Sequence, residues 1–129
     1  PRQLSLRWKE EGDYLKSHAL ASLALETAEA AAEWLHRKLR FEWGFPDPPD
    51  LTMADRLKAR YRGLRVSPGY PACPELTDQR TIFSLLGPER IGLALTEGCM
   101  MDPEASVSAL VFHHPEAKYF KADEGVASD

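Results

Sequence analysis

The sequence predicts an α+β fold, a long helix and shorter helices packed on a small antiparallel sheet. Three observations carry that expectation. Apolar residues at helical spacing dominate the first ninety or so positions, strand-like β-branched runs are confined to 91–112, and two Pro/Gly-rich segments break the helical region. The 129 residues suffice for one domain with a real core, and 43% hydrophobic against 28% charged residues is globular composition. Sixteen Lys and Arg against twenty Asp and Glu leave a charge of −4, which excludes a non-specific binder of nucleic-acid phosphates. No apolar run reaches the roughly 18–20 residues that span a bilayer, and no charged-then-apolar leader opens the chain. Cys73 and Cys99 stand far apart and outside any CxxC pair, so a disulfide scaffold and a four-cysteine zinc site are also excluded. The expectation is a soluble, cytoplasmic protein with no membrane or nucleic-acid partner. Because it opens on Pro1, it reads as a piece of something larger.

The elements follow in order. Residues 1–12 are polar around Trp8, show no clear period and are expected to be loosely ordered. Asp13 is a candidate N-cap for a helix to about Arg40, in which Leu20, Leu23, Ala24, Ala28, Ala31, Ala32 and Leu35 recur at three- and four-residue steps. The cations His36, Arg37, Lys38 and Arg40 fall in its last turns, where they suit the helix dipole. The segment WGFPDPPD is a connector, Thr52 and Asp55 form a capping-box pattern, and a helix to Tyr61 or Arg62 ends at Gly63. VSPGYPACP, residues 66–74, is neither helix nor interior strand. Thr77 caps a third helix to Leu86, stopped by Gly87-Pro88. Ile91–Thr96 and Ser106–Phe112 read as two strands joined through MMDPEA, with Val107, Leu110 and Phe112 facing the Ala/Leu stripe of the long helix. The tail, 121–129, is polar and expected to be loosely ordered, and the whole is read as one domain.

Several side chains invite a chemical reading. Glu26, Glu29 and Glu33 share neighbouring turns, and Glu33-x-x-His36 has metal-ligand spacing, yet no second pair of that kind exists, which favours a solvated or cation-facing stripe and no metal. His113 and His114, adjacent on a strand, point to opposite faces and cannot chelate together; one buried, hydrogen-bonded histidine is the expectation. Cys73 and Cys99 lack the histidine partner a nucleophile needs and read as packed thiols. Arg65 followed by VSPGYPACP is different. Its prolines fix carbonyl and amide directions, Gly69 permits close approach to the backbone, Arg65 can fork a carboxylate, and Tyr70 offers a ring and a hydroxyl. The loop reads either as a site for a small anion or amino acid or as a structural loop packed on the sheet.

At this loop the chain becomes recognisable. RVSPGYPACPEL and LTEGCMMDPEASVSALVFHHPEAKYF, with GDYLKSHALASLALETAEAAAEWLHRKLR and WGFPDPPDLTM upstream in the same order, resemble the activation (reactivation) domain of cobalamin-dependent methionine synthase. The resemblance runs from about Gly12 to Phe120, making the chain the C-terminal part of such a domain. It implies a domain that binds S-adenosylmethionine in a shallow groove and docks over the cobalamin-binding domain of the same polypeptide. There it would support reductive remethylation of cob(II)alamin to methylcobalamin, with electrons from a flavodoxin-type reductant. Cobalamin, and zinc, would belong to other domains of the parent enzyme. Carried over by position, Arg65 meets the ligand carboxylate, and Ser67, Gly69 and Tyr70 line the ligand, with Tyr70 also facing the corrin. Tyr119 and Phe120 match the adenosine-contacting pair, and Glu29 falls where the family has an acidic residue facing the site. Ala59 stands where some members carry a further acidic contact, Gly98, Cys99 and Asp102 replace an aromatic found in others, and an Asp contact of the family lies in a more N-terminal part of the module.

The bottom-up reading agrees in one respect. Methyl transfer from a sulfonium to a reduced cobalt centre needs proximity, alignment and exclusion of water rather than a side-chain nucleophile or base, so no catalytic residue is expected here. The alternative to a methyltransferase fragment is a stand-alone S-adenosylmethionine-sensing or cobalamin-protein docking module without enzyme activity. An unrelated α+β packing domain is the third reading.

Overall fold

Helix α2 (Tyr14–Glu42) is the longest element, and its start is fixed where the sequence places it: the Asp13 carbonyl accepts from Ser17 N at 3.0 Å and opens the ladder. At the other end Phe45 N donates back to the Arg40 carbonyl at 2.8 Å, closing the last turn two residues beyond the expected Arg40. A computed structural model describes residues 1–120, so the expectation for 121–129 lies outside the described residues. The remaining elements are α1 (Arg2–Glu10), α3 (Met53–Leu57), β1 (Leu64–Val66), α4 (Gln79–Leu86), β2 (Ala94–Leu95), β3 (Met101–Asp102) and β4 (Leu110–Phe112). Short 3₁₀ turns at Leu76–Asp78 and Pro88–Ile91 flank α4. Helices with small antiparallel sheets make this an α+β fold, as expected.

The chain divides into two compact units, one of residues 1–32 and 79–107, the other of residues 33–78 and 108 onward. In the first, α1 forms where loose order was expected. Leu4, Ser5 and Trp8 are its half-buried positions, a helical period only one turn long, and Ser5 Oγ donates to the Ser17 carbonyl at 2.9 Å. Ile82 and Phe83 of α4 are buried, as is Cys99, whose Sγ accepts from Arg80 Nε at 3.1 Å. Strand β2 pairs with β3 in the register Ala94↔Asp102 and Leu95↔Met101, so Met101–Asp102, read as turn, is strand. The turn lies earlier, where Cys99 N donates to Thr96 O at 2.9 Å and Cys99 takes φ 61.

In the second unit β1 pairs antiparallel with β4, Leu64↔Phe112, Arg65↔Val111 and Val66↔Leu110. The expected hairpin of Ile91–Thr96 with Ser106–Phe112 is therefore replaced by two separate ladders, and Val66, assigned to the proline loop, is a buried strand residue. Gly63 makes the β1–β4 approach possible: with φ 87, a Cβ there would lie 2.6 Å from the Phe112 carbonyl oxygen. It does not cap α3, which ends earlier, because Ala59 turns left-handed at φ 50. The Thr52–Asp55 capping box forms as expected.

The expected packing of α2 is corrected. Ala31, Leu23 and Leu35 are exposed, and Leu110 and Phe112 keep two-fifths to a half of their surface in solvent. The covered stripe of α2 runs at four-residue steps through Leu20, Ala24, Ala28 and Ala32 into His36 and Arg40. Only its first part is apolar.

Candidate functional site

The end of that stripe builds a polar cluster in the second unit. Arg40 is 1% exposed and forks Asp47, with Nε at 2.6 Å from Oδ1 and Nη2 at 3.0 Å from Oδ2. WGFPDPPD supplies this partner: the connector's fixed turns bring Asp47 back over the last turn of α2. Arg56 of α3 reaches the same carboxylate at 3.5 Å. The Tyr61 ring lies 3.8 Å from the Arg40 guanidinium carbon and edge-on to His36, 5.2 Å between ring centroids. The Tyr61 hydroxyl donates to Glu33 Oε2 at 3.1 Å, and Glu33 also lies 3.9 Å from Arg40 Nη2 and from Arg65 Nη2.

Charge and burial set the protonation states. Burial, then the Arg40 and Arg65 guanidiniums, hold His36 down to about 4, so it is neutral at pH 7. Hydrogen bonding to Arg40 keeps Asp47 below its ordinary value despite its burial, and burial with the Glu33 carboxylate pushes the Tyr61 phenol up. Arg40, Arg56 and Arg65 thus gather around the Glu33 and Asp47 carboxylates in this cluster.

Arg65 sits in the middle of β1, its side chain 20% exposed, and the proline loop leaves the strand directly after it. The loop is held by Gly69 N donating to Cys73 O at 2.8 Å and Cys73 N donating to Tyr70 O at 2.8 Å. Gly69 takes φ 87, and a Cβ there would meet Leu76 Cδ1 at 3.1 Å, so the glycine serves the turn and the Leu76 contact. Tyr70, Tyr119 and Phe120 are each more than half exposed, Ser67 is half-buried, and Glu29 stands exposed one turn before Glu33 on α2. Arg65, Glu33 and Tyr61 are thus brought together by direct geometry, while Tyr70 and the Tyr119–Phe120 pair present exposed rings.

The other candidates fare differently. His113 lies tilted against Phe45, ring centroids 4.0 Å apart, and beside Trp43 at 5.5 Å, with both ring nitrogens buried and without a hydrogen bond among the described residues. The hydrogen-bonded histidine is instead the exposed His114, whose Nδ1 accepts from Glu116 N at 3.2 Å, because the strand ends at Phe112 and the pair lies beyond it, ahead of the turn at 115–116. Burial and the Asp78 carboxylate push the Cys73 thiol up, away from nucleophilic character, and both cysteines are free. Among the described residues no group of three or more His, Cys, Asp or Glu is arranged to hold a metal ion. No helix there is long and apolar enough to cross a membrane.

Sequence reasoning missed Arg40, Asp47, Arg56 and Tyr61. The signal was present: the four-residue stripe through Ala24, Ala28 and Ala32 continues unbroken into His36 and Arg40, which places those cations on the covered face rather than in solvent.

Helices, two small antiparallel ladders and a buried cluster of ion-paired side chains at the end of α2 define the class as an α+β module. The family model for the vitamin B12 dependent methionine synthase activation domain matches residues 2–127, and the chain belongs to that family. Methionine synthase of Mycobacterium tuberculosis (strain ATCC 25618 / H37Rv) is 44% identical over 116 residues, 84% of this chain and 9% of that protein. The Mycobacterium leprae (strain TN) methionine synthase is 42% identical over 115 residues, again 84% and 9%. The chain thus spans about a tenth of the length of these relatives. A solved structure of the MetH reactivation domain bound to AdoHcy superimposes with a TM-score of 0.83 at 37% identity, covering 92% of this chain and 37% of that one.

Proposed function

We propose that this chain is the C-terminal part of an S-adenosylmethionine-binding activation domain in a cobalamin-dependent methionine synthase, where it supports reductive remethylation of cob(II)alamin to methylcobalamin in the cytoplasm. The observation that carries the reading is Arg65, four-fifths buried in β1 at the entrance of a loop whose backbone is fixed by prolines. A related domain is described as bound to AdoHcy, which has the same amino-acid and adenosine parts as S-adenosylmethionine.

In this reading Arg65 forks the ligand's carboxylate, worth roughly 1.5–3 kcal/mol when shielded. The backbone at Ser67 and Gly69 and the Tyr70 ring line the ligand, Tyr119 and Phe120 contact its adenosine, and Glu29 faces the site. Tyr70, exposed at the loop tip, faces the corrin carried by another domain of the same polypeptide. Cobalamin supplies the reduced metal centre that accepts the methyl group; electrons come from a flavodoxin-type donor, and zinc belongs to other domains. The residues described here bind and align the sulfonium substrate and keep water from it.

Calorimetric titration of the full-length protein with S-adenosylmethionine, and with S-adenosylhomocysteine for comparison, tests the reading. Saturable binding of both is expected. Absence of binding by either overturns it.

A further inference from the structure

The backbone of the proline loop has many acceptors and few donors left to offer. Residues 67–74 hold no charged side chain, and Pro68, Pro71 and Pro74 have no amide hydrogen. Most of the remaining amides are spent inside the loop. Gly69 N donates to Cys73 O at 2.8 Å, Tyr70 N to Ser67 O at 3.3 Å, and Cys73 N to Tyr70 O at 2.8 Å. Ser67 and Ala72 keep theirs. The carbonyls of Pro68, Gly69, Pro71 and Ala72, by contrast, accept no hydrogen bond among the described residues. Gly69, Tyr70 and Pro71 form the exposed tip. A backbone stripped of donors presents the negative ends of its dipoles, and such a surface favours a cation over a neutral group.

We propose that this loop is the part of the site that selects for positive charge: its unspent carbonyls meet the sulfonium end of S-adenosylmethionine and discriminate that ligand from its neutral thioether product. The inference rests on the reading in which Ser67, Gly69 and Tyr70 line the ligand. S-adenosylmethionine carries a charge on the sulfur that bears the transferred methyl group. Loss of the methyl leaves S-adenosylhomocysteine, whose sulfur is neutral, and the attraction of the carbonyl dipoles falls with the charge. The loop then holds the substrate and lets the product go. The prolines acquire a role beyond rigidity, since each removes a donor that would oppose the sulfonium. The exposed Tyr70 ring offers a second attraction for the same charge, which the experiment separates from the first.

The test is calorimetric titration of the full-length protein with three ligands. They are S-adenosylmethionine, S-adenosylhomocysteine, and the analogue in which a carbon bearing a protonated amine replaces the methylated sulfur. Wild type is expected to bind both cationic ligands roughly tenfold more tightly than S-adenosylhomocysteine. A preference for S-adenosylmethionine that the amine analogue does not share traces to the methyl group and overturns the inference. Two variants locate the preference, with circular dichroism recorded for each. Tyr70→Leu removes the ring but keeps the backbone, and is expected to retain most of the preference; its disappearance assigns the selection to the ring and overturns the role of the carbonyls. Pro71→Ala returns an amide donor to the tip and is expected to lower the preference roughly two- to threefold, whereas an undiminished preference overturns the inference. Failure of all three ligands to bind wild type fells the proposed function, and the inference with it. Binding of all three without preference, or tighter binding of the thioether, fells only the inference.

Discussion

Arg40 and His36 are the most deeply buried large side chains of the described residues, and both are polar. Arg40 is tolerable there because Asp47 forks it and the Tyr61 ring covers its face, but removing one partner leaves a buried charge uncompensated. Asp47→Asn should cost about 3–5 kcal/mol, read as a lowered urea midpoint with an unchanged m-value. His36 makes a distinct prediction through pH. Its folded pKa is about 4 against an ordinary value of 6.5, so between those pH values the unfolded chain binds a proton that the folded chain refuses. Stability is then full above about 6.5 and declines as pH falls toward 4, by about 3 kcal/mol in all. His113, also lowered by burial and by Arg62 and Arg40, acts in the same direction. His36→Gln should therefore reduce, without abolishing, the slope of unfolding free energy against pH in that window, whatever its absolute stability. Asp47 is a depressed carboxylate, and its contribution is lost only below its ordinary 3.8, which keeps the two effects apart on the pH axis.

At the scale of elements, the ladders owe more to close approach than to strand length. β1 and β4 have three residues each, and Gly63 brings them together in a left-handed conformation with its Cβ direction 2.6 Å from the Phe112 carbonyl. Gly63→Ala should cost about 1–3 kcal/mol from the backbone conformation alone, and more from the contact with a fixed carbonyl. Gly69→Ala, meeting only the flexible end of Leu76 at 3.1 Å, should cost less; thermal unfolding of the two variants ranks them. The contrast also explains which elements were legible. α2, the Thr52 cap and α4 were written locally, in spacing and capping residues, and formed close to where they were read. The pairing of β1 with β4 joins Leu64 to Phe112, and nothing local in RVSPGYPACP announces a strand when its partner lies that far along the chain. MMDPEA misled because Asp-Pro outweighed the real turn, in which Cys99 takes a left-handed conformation that β-propensity does not signal.

At the scale of the whole molecule, the sequence carried the candidate site in two different ways. Arg65, Ser67, Gly69 and Tyr70 were legible as a rigid loop after a cation, because prolines and glycine declare their backbone intent. Arg40, Asp47 and Tyr61 were not, because a buried ion pair looks in sequence like a solvated one until the covered face of the helix is known. Only the loop half of the site was therefore visible beforehand, and it is the half that the proposed function places against the ligand. That division bears on the intact protein. If this chain serves reactivation alone, its ligand anchor has no part in ordinary methyl transfer from methyltetrahydrofolate, and the two activities should separate. Arg65→Ala should weaken S-adenosylmethionine binding by about one to two orders of magnitude, the loss of a shielded charge-assisted fork. Arg65→Lys should recover part of that, since an ammonium restores charge but not the two parallel donors. In the full-length enzyme, turnover with methyltetrahydrofolate starting from methylcobalamin should continue in Arg65→Ala while recovery of methylcobalamin from cob(II)alamin fails. The measurement is the cobalamin spectrum followed alongside product formation. Loss of both activities together, or of neither, would show that Arg65 does not anchor the ligand.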